Sequence, residues 1–310
     1  MHDSAAPRKA LSPASHERFA FAAMLAGNVC LAFGPWFVRL AGDGPAGIGP
    51  VASSFWRLAL AAPILLLLSW PDRQAASRLS GGLWGALAIG GLFFAADLAA
   101  WHAGIFHTRL ANATLFGNSS SFLYAAYGFL LARQLPGRNQ SLALILAALG
   151  TALLLGRSYE LSSRYLLGDL LCMLAGFLYT GYLVALGRAR AQLPPILSLA
   201  VSTGAGMAPL LLLAWTMGER IVPGDWTAVL LLAVGSQVLG QGFMIYALGH
   251  LSPVIFGLGL LTQPVVGATI GWLVYGERLS VLDLVGAAII GAALVLMRRP
   301  DRLTRSDRPG

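Results

Sequence analysis

The chain has 310 residues, of which 57% are hydrophobic and only 11% charged, against roughly 25% charged in a soluble domain. A formal net charge of +8 could point to nucleic acid, but the Lys and Arg residues lie between and beyond long apolar blocks, with no basic-aromatic surface, which excludes a nucleic-acid partner. The two cysteines, Cys30 and Cys172, sit inside apolar blocks, and the five histidines form no ligand pair, so no metal or other cofactor is expected.

In chain order, residues 1–18 read as a disordered N-terminal tail, rich in Ser, Pro and charge. The first apolar block runs from Phe19 to Leu40, too long for a signal-peptide core, and reads as an uncleaved span. Further blocks lie at 48–70, 82–106, 110–132, 139–156, 167–187, 194–216, 226–248, 252–275 and 279–298, which makes ten. Each is close to the ~20 residues needed to cross a ~30 Å hydrocarbon core. Turn-forming stretches separate them: Gly42-Asp43-Gly44-Pro45, Pro71-Asp72-Arg73, Pro136-Gly137-Arg138, Pro194-Pro195 and Pro223-Gly224-Asp225. Residues 157–166 read as a periplasmic connecting loop, and 299–310 as a basic C-terminal tail.

With the N-terminus placed in the cytoplasm, 14 of the 21 basic residues fall on the inner side, 6 on the outer side, and Arg57 inside a span. That bias places both termini in the cytoplasm. Trp70, Trp84, Trp215 and Trp226 fall near span ends, where indole rings anchor at the interface.

The sequence also repeats. Met24-Leu25-Ala26-Gly27 recurs as Met173-Leu174-Ala175-Gly176, Gly128-Phe129-Leu130-Leu131 as Gly271-Trp272-Leu273-Val274, and the Gly150 segment as the Gly291 segment. A five-span repeat has an odd number of crossings, so its second copy enters the membrane from the opposite face. The expected fold is therefore all-α and integral to the membrane, with ten transmembrane helices as two inverted five-helix repeats, 19–156 and 167–298. Inverted repeats are a recurring plan of secondary transporters, with the substrate site near the midplane between the halves.

The stretch Gln263-Pro264-Val265-Val266-Gly267-Ala268-Thr269-Ile270-Gly271-Trp272-Leu273-Val274-Tyr275-Gly276-Glu277-Arg278-Leu279 resembles the span 9 signature of EamA-type members of the drug/metabolite transporter superfamily. Phe55-Trp56-Arg57-Leu58 and Gly168-Asp169-Leu170-Leu171 strengthen the resemblance, which covers residues 19–298. It implies a ten-helix transporter in a bacterial inner membrane, with the YddG-type amino-acid exporters among its relatives. The halves have diverged: aligning Gly128 with Gly271 sets Ser121 opposite Pro264, and Ala132-Arg133-Gln134-Leu135 stands where the second half has Gly-Glu-Arg-Leu. Span 1 also lacks the glutamate on which the small multidrug transporters of that superfamily rely.

Four groups of residues are candidates for the work. Arg57 lies about 12 Å from the outer edge of span 2 at ~1.5 Å per residue. Asp97 sits at comparable depth in span 3, so the two are expected to form an intramembrane charge pair or to share a polar cavity; a charge at that depth costs at least ~2.5 kcal/mol unless paired or hydrated. The uncharged polar residues Asn28, Asn112, Asn118, Ser119, Ser120, Ser121, Gln237, Gln241 and Gln263 could bind a substrate or join helices; Gln237 and Gln241 are spaced to share a helix face. Trp36, Trp101, Tyr179, Tyr182 and Tyr246 could form an aromatic wall, and Trp101 could equally be an interface anchor. Pro35 and Pro264 are the candidate hinges, Pro264 freeing the carbonyl of Leu260.

The expected function is transport of small polar metabolites, with amino-acid export by alternating access around a cavity lined by spans 1, 3, 4, 6, 8 and 9. The expected partners are a small-molecule substrate and the lipid bilayer; composition does not reveal the oligomeric state. Proton-driven multidrug efflux is the alternative. An intramembrane hydrolase is the alternative from another class, and the chain shows no nucleophile with a partnering base and no aspartate pair for it.

Overall fold

The structure is a computed structural model that describes residues 13–77, 79–156, 162–275 and 280–297. The tail 1–12, the first half of the 157–166 loop (157–161), the Gly276-Glu277-Arg278-Leu279 end of the signature and the C-terminal tail lie outside the described residues.

Among the described residues every element is helical. Each expected apolar block is a helix or a broken helix. The first is α1 (Pro13–Ala32) and α2 (Gly34–Gly42), and the second is α3 (Pro50–Leu68). A short α4 (Arg73–Ser77) leads into α5 (Gly81–His107). The fourth block is α6 (Leu110–Gly117) and α7 (Ser119–Ala132), and the fifth is α8 (Arg138–Gly156). The second half opens with α9 (Leu166–Arg190) and α10 (Pro195–Thr216). Its next block combines α11 (Thr227–Leu231), a π-helical stretch (Leu232–Gln241) and α12 (Gly242–Leu248). It ends with α13 (Pro253–Leu260), α14 (Thr262–Tyr275) and α15 (Val281–Met297).

Seven helical stretches among the described residues are long and apolar enough to cross a membrane: Ser15–Gly42, Pro50–Leu68, Gly81–His107, Leu166–Arg190, Pro195–Thr216, Thr227–Leu248 and Pro253–Ile270. Large apolar side chains cover much of the exterior. Leu67, Leu130, Leu131, Leu212, Leu273 and Leu284 are all exposed. Water would not tolerate so continuous an apolar surface, whereas lipid solvates it. Trp70 and Trp215 are exposed as well, in keeping with rings at an interface. The chain is a multi-pass membrane protein.

The breaks in the fourth and ninth blocks obey one register. Adding 143 to Leu110–Gly117 gives Pro253–Leu260, adding it to Asn118 gives Leu261, and adding it to Ser119 gives Thr262. The same shift carries Arg138, the start of α8, onto Val281, the start of α15. Elements of equivalent blocks also pack on one another. α8 meets α15 where a methyl group at Gly150 would stand 2.8 Å from the carbonyl of Gly286, and α13 meets α7 where one at Gly257 would stand 2.6 Å from that of Ser121. Small residues let these backbones approach, the means by which helices associate where lipid is as apolar as leucine.

The breaks lie near the prolines expected as hinges but not at them. The first block breaks at Phe33, and Pro35 opens the new helix rather than marking its interruption. The ninth breaks at Leu261, three residues before Pro264, which lies buried within α14. A proline lacks the donor for the carbonyl four residues earlier and its ring crowds that carbonyl, so the disturbance lies upstream. At Asn118 no proline is needed: its Nδ2 donates to the Thr114 carbonyl at 2.7 Å and gives the loosened turn a side-chain partner. Pro63 and Pro209 remain inside unbroken helices.

Candidate functional site

At the level of these breaks lies a cavity of about 100 Å³. That is room for several ordered waters or a small metabolite. Elements from both halves border it. α1 contributes Leu31, and Pro35 stands at the start of α2. α3 contributes Arg57, and α5 contributes Phe94, Asp97, Leu98 and Trp101. The broken fourth block supplies Thr114, Gly117, Asn118 and Ser120. From the second half come Tyr179 of α9, Gln241 of the π-helix, and Leu260, Gln263 and Gly267 around the ninth-block break. These are the blocks expected to line a central cavity, with the second block added through Arg57.

Arg57 is buried, 2% exposed, and its Nε donates to Gln237 Oε1 at 3.1 Å. Its guanidinium lies over the Phe94 ring, 5.7 Å from the centroid. Such a contact stabilises a desolvated cation by about 2 kcal/mol. Asp97 is 8% exposed and borders the same cavity. The two charges interact electrostatically, yet no nitrogen of Arg57 comes within the 4.0 Å of a direct ion pair with the Asp97 carboxylate.

The polar candidates divide by partner. Gln241 is buried; its Nε2 donates to Tyr179 Oη at 3.4 Å, and its Oε1 has no partner among the described residues. Gln237, four residues earlier, does not border the cavity: its Oε1 accepts from Arg57 and its Nε2 donates to Thr203 Oγ1 at 3.0 Å. Asn28 lies just behind the cavity wall. Its Nδ2 donates to the Gly259 carbonyl at 2.8 Å and to Thr262 Oγ1 at 2.6 Å, and its Oδ1 accepts from Gln263 Nε2 at 3.0 Å. It therefore ties α1 to the ninth-block break and orients Gln263. Asn112 faces Asp169 instead, donating to its two carboxylate oxygens at 3.0 and 3.3 Å. Ser119 faces Gly176, where a methyl group would collide with its hydroxyl.

Among the aromatics, Trp101 and Tyr179 border the cavity. The indole of Trp101 is wedged between two breaks: methyl groups at Gly34 and Gly117 would stand 3.3 and 3.2 Å from it. Tyr182 is one layer back, stacked on Phe94 with ring centres 4.5 Å apart. Trp36 packs against Phe33 and Phe37, and Tyr246 against Phe19 and His250; neither borders the cavity.

Phe94 and Leu98 were not among the candidates, yet they form part of the wall. With Asp97 and Trp101 they occupy positions i, i+3, i+4 and i+7 of α5, which is one helix face. That spacing, taken outward from Asp97, was the signal available for them.

The sequence profile of the EamA-like transporter family matches residues 18–156 and again residues 166–299. A crystal structure of another protein aligns with 95% of this chain and 100% of its own, at 20% identity and a TM-score of 0.72, a likeness that speaks to the fold. No curated protein matches the sequence.

Proposed function

We propose, from the premise that the chain belongs to the EamA-like transporter family, that it exports amino acids or similar small polar metabolites by alternating access. Family membership makes it a membrane transporter of a small molecule. The finer reading is ten spans in two inverted halves, both termini in the cytoplasm, and residence in a bacterial inner membrane. The shared 143-residue register of the two breaks supports it, because paired discontinuous helices are where transporters of inverted-repeat design hold substrate.

One observation carries the substrate reading. A single small cavity offers a cation, a carboxylate, neutral donors and acceptors, and an aromatic wall together. An amino acid presents the complementary set. The test is counterflow into liposomes holding the purified protein and unlabelled amino acids, with a panel of labelled amino acids outside and no ion gradient. Exchange that is lost with Gln241→Leu in well-folded protein supports the reading; absence of exchange for every amino acid overturns it.

Proton-driven drug efflux is the second reading, favoured by one feature. Among the described residues Asp97 borders the cavity without a hydrogen-bonding side chain, as a carboxylate exchanging protons for a cationic drug would. Uptake of a cationic drug driven by an imposed pH gradient, with no amino-acid exchange, would establish it.

A further inference from the structure

We propose that Arg57 and Asp97 are the two ends of a zwitterion-binding site, Arg57 taking the substrate's carboxylate and Asp97 its ammonium group. The inference rests on the amino-acid reading above and names what that reading leaves open, the chemistry by which the substrate is selected.

The argument starts from unmet bonding capacity. A guanidinium has five N–H donors. Arg57 spends its Nε–H on Gln237, and its remaining donors meet no acceptor among the described residues. An ionised carboxylate accepts only, and Asp97 receives no hydrogen bond from the described residues. Gln241 adds a third unmet group, the buried Oε1. Buried charges without partners are costly. The simplest remedy would be a direct ion pair, which the fold does not make. Instead, Gln237 and the Phe94 ring hold the guanidinium, while both charges border the same cavity.

A ligand that completes all three groups must bring an anion and a cationic donor together. Its carboxylate can meet the fork of the guanidinium in a paired, charge-assisted contact. Its ammonium can donate to Asp97 and to Gln241 Oε1. An organic cation would leave Arg57 unmet, and a phosphate ester would bring more negative charge to Asp97. The cavity volume of about 100 Å³ favours short side chains against Phe94, Leu98 and Leu31.

The test uses full-length protein in nanodiscs and two matched trios: L-alanine, propionate and ethylamine, then L-valine, isovalerate and isobutylamine. Each is measured as a competitor of amino-acid counterflow and as a ligand by calorimetry. The zwitterion of at least one trio is expected to bind more than tenfold tighter than its acid or its amine. Asp97→Asn is expected to weaken the zwitterion more than tenfold and leave the acid unchanged. Arg57→Lys is expected to weaken zwitterion and acid together and leave the amine unchanged. Should either variant fail to fold, the trios on the unmodified protein decide alone. Acid or amine binding as well as the zwitterion overturns this inference while counterflow keeps the exporter reading intact. Equal losses for all three ligands in Asp97→Asn also overturn it. Absence of amino-acid counterflow overturns both.

Discussion

Arg57 on α3 is joined to Gln237 on the π-helical stretch by a hydrogen bond of 3.1 Å from Nε to Oε1, and Gln237 passes the connection to Thr203 on α10 at 3.0 Å. The cation that borders the cavity is thus aimed by a residue that does not. Replacing Gln237 with Leu removes the acceptor and leaves Nε–H and the Thr203 hydroxyl unmatched. The expected result is a stability loss of about 1–3 kcal/mol, the cost of stranding a buried polar group. It is read as a fall in melting temperature in detergent, and bound substrate should recover part of it.

Gln241 should behave oppositely. Its Oε1 is already unpartnered, and its one hydrogen bond, to Tyr179, is long at 3.4 Å. Gln241→Leu gives up little in the empty protein and removes an unmet acceptor, so the melting temperature is expected to hold or rise. Counterflow is expected to fall more than tenfold, because the substrate loses a polar contact. A fall in both quantities together would place Gln241 in the structural framework with Gln237.

Asn28 tests how far the cavity depends on its second layer. Three hydrogen bonds converge on it, one of them holding Gln263 Nε2 at 3.0 Å. Interhelical hydrogen bonds in membranes average about 0.6 kcal/mol each, with the largest near 1.7. Asn28→Leu is therefore expected to cost about 2 kcal/mol and to weaken substrate binding through the released Gln263. In Asn28→Leu/Gln263→Ala the binding defect should match that of Gln263→Ala alone; additive defects would show that Asn28 acts by another route.

The helices were legible in the sequence because a membrane span needs only length and apolarity. The block expected at 48–70 is the helix Pro50–Leu68, and that at 226–248 is Thr227–Leu248. The breaks were less legible. The interruptions fall at Phe33 and Leu261, upstream of Pro35 and Pro264, and the one at Asn118 has no proline. Nor does polarity in mid-span say which way a side chain turns. Gln237 and Gln241 are four residues apart, yet one serves Arg57 and the other the cavity. Between them the backbone is π-helical, a departure from the 3.6-residue turn that no local residue announces. Phe94 was hidden for a different reason: a phenylalanine in a span reads as lipid or core until a cation is placed on it.

Glu219 links two loops far apart in sequence. Its Oε2 accepts from the Ala52 amide at 2.8 Å and its Oε1 from the Val51 amide at 3.3 Å, capping the first turn of α3. A carboxylate there satisfies donors that no helix can satisfy internally and opposes the positive end of the helix dipole. The contact is reinforced nearby, where the Gly49 amide donates to the Arg220 carbonyl at 3.1 Å and Trp56 Nε1 to the Ile221 carbonyl at 2.7 Å. Together they fasten the 43–49 loop to the 218–226 loop. Glu219→Ala is expected to lower stability by about 1 kcal/mol and to speed amide hydrogen exchange at Val51 and Ala52, with Glu219→Gln intermediate because it keeps one acceptor. Faster exchange confined to the first turn of α3 would mean the carboxylate acts only as a cap. Faster exchange that also reaches residues 218–226 would mean it holds the two loops together.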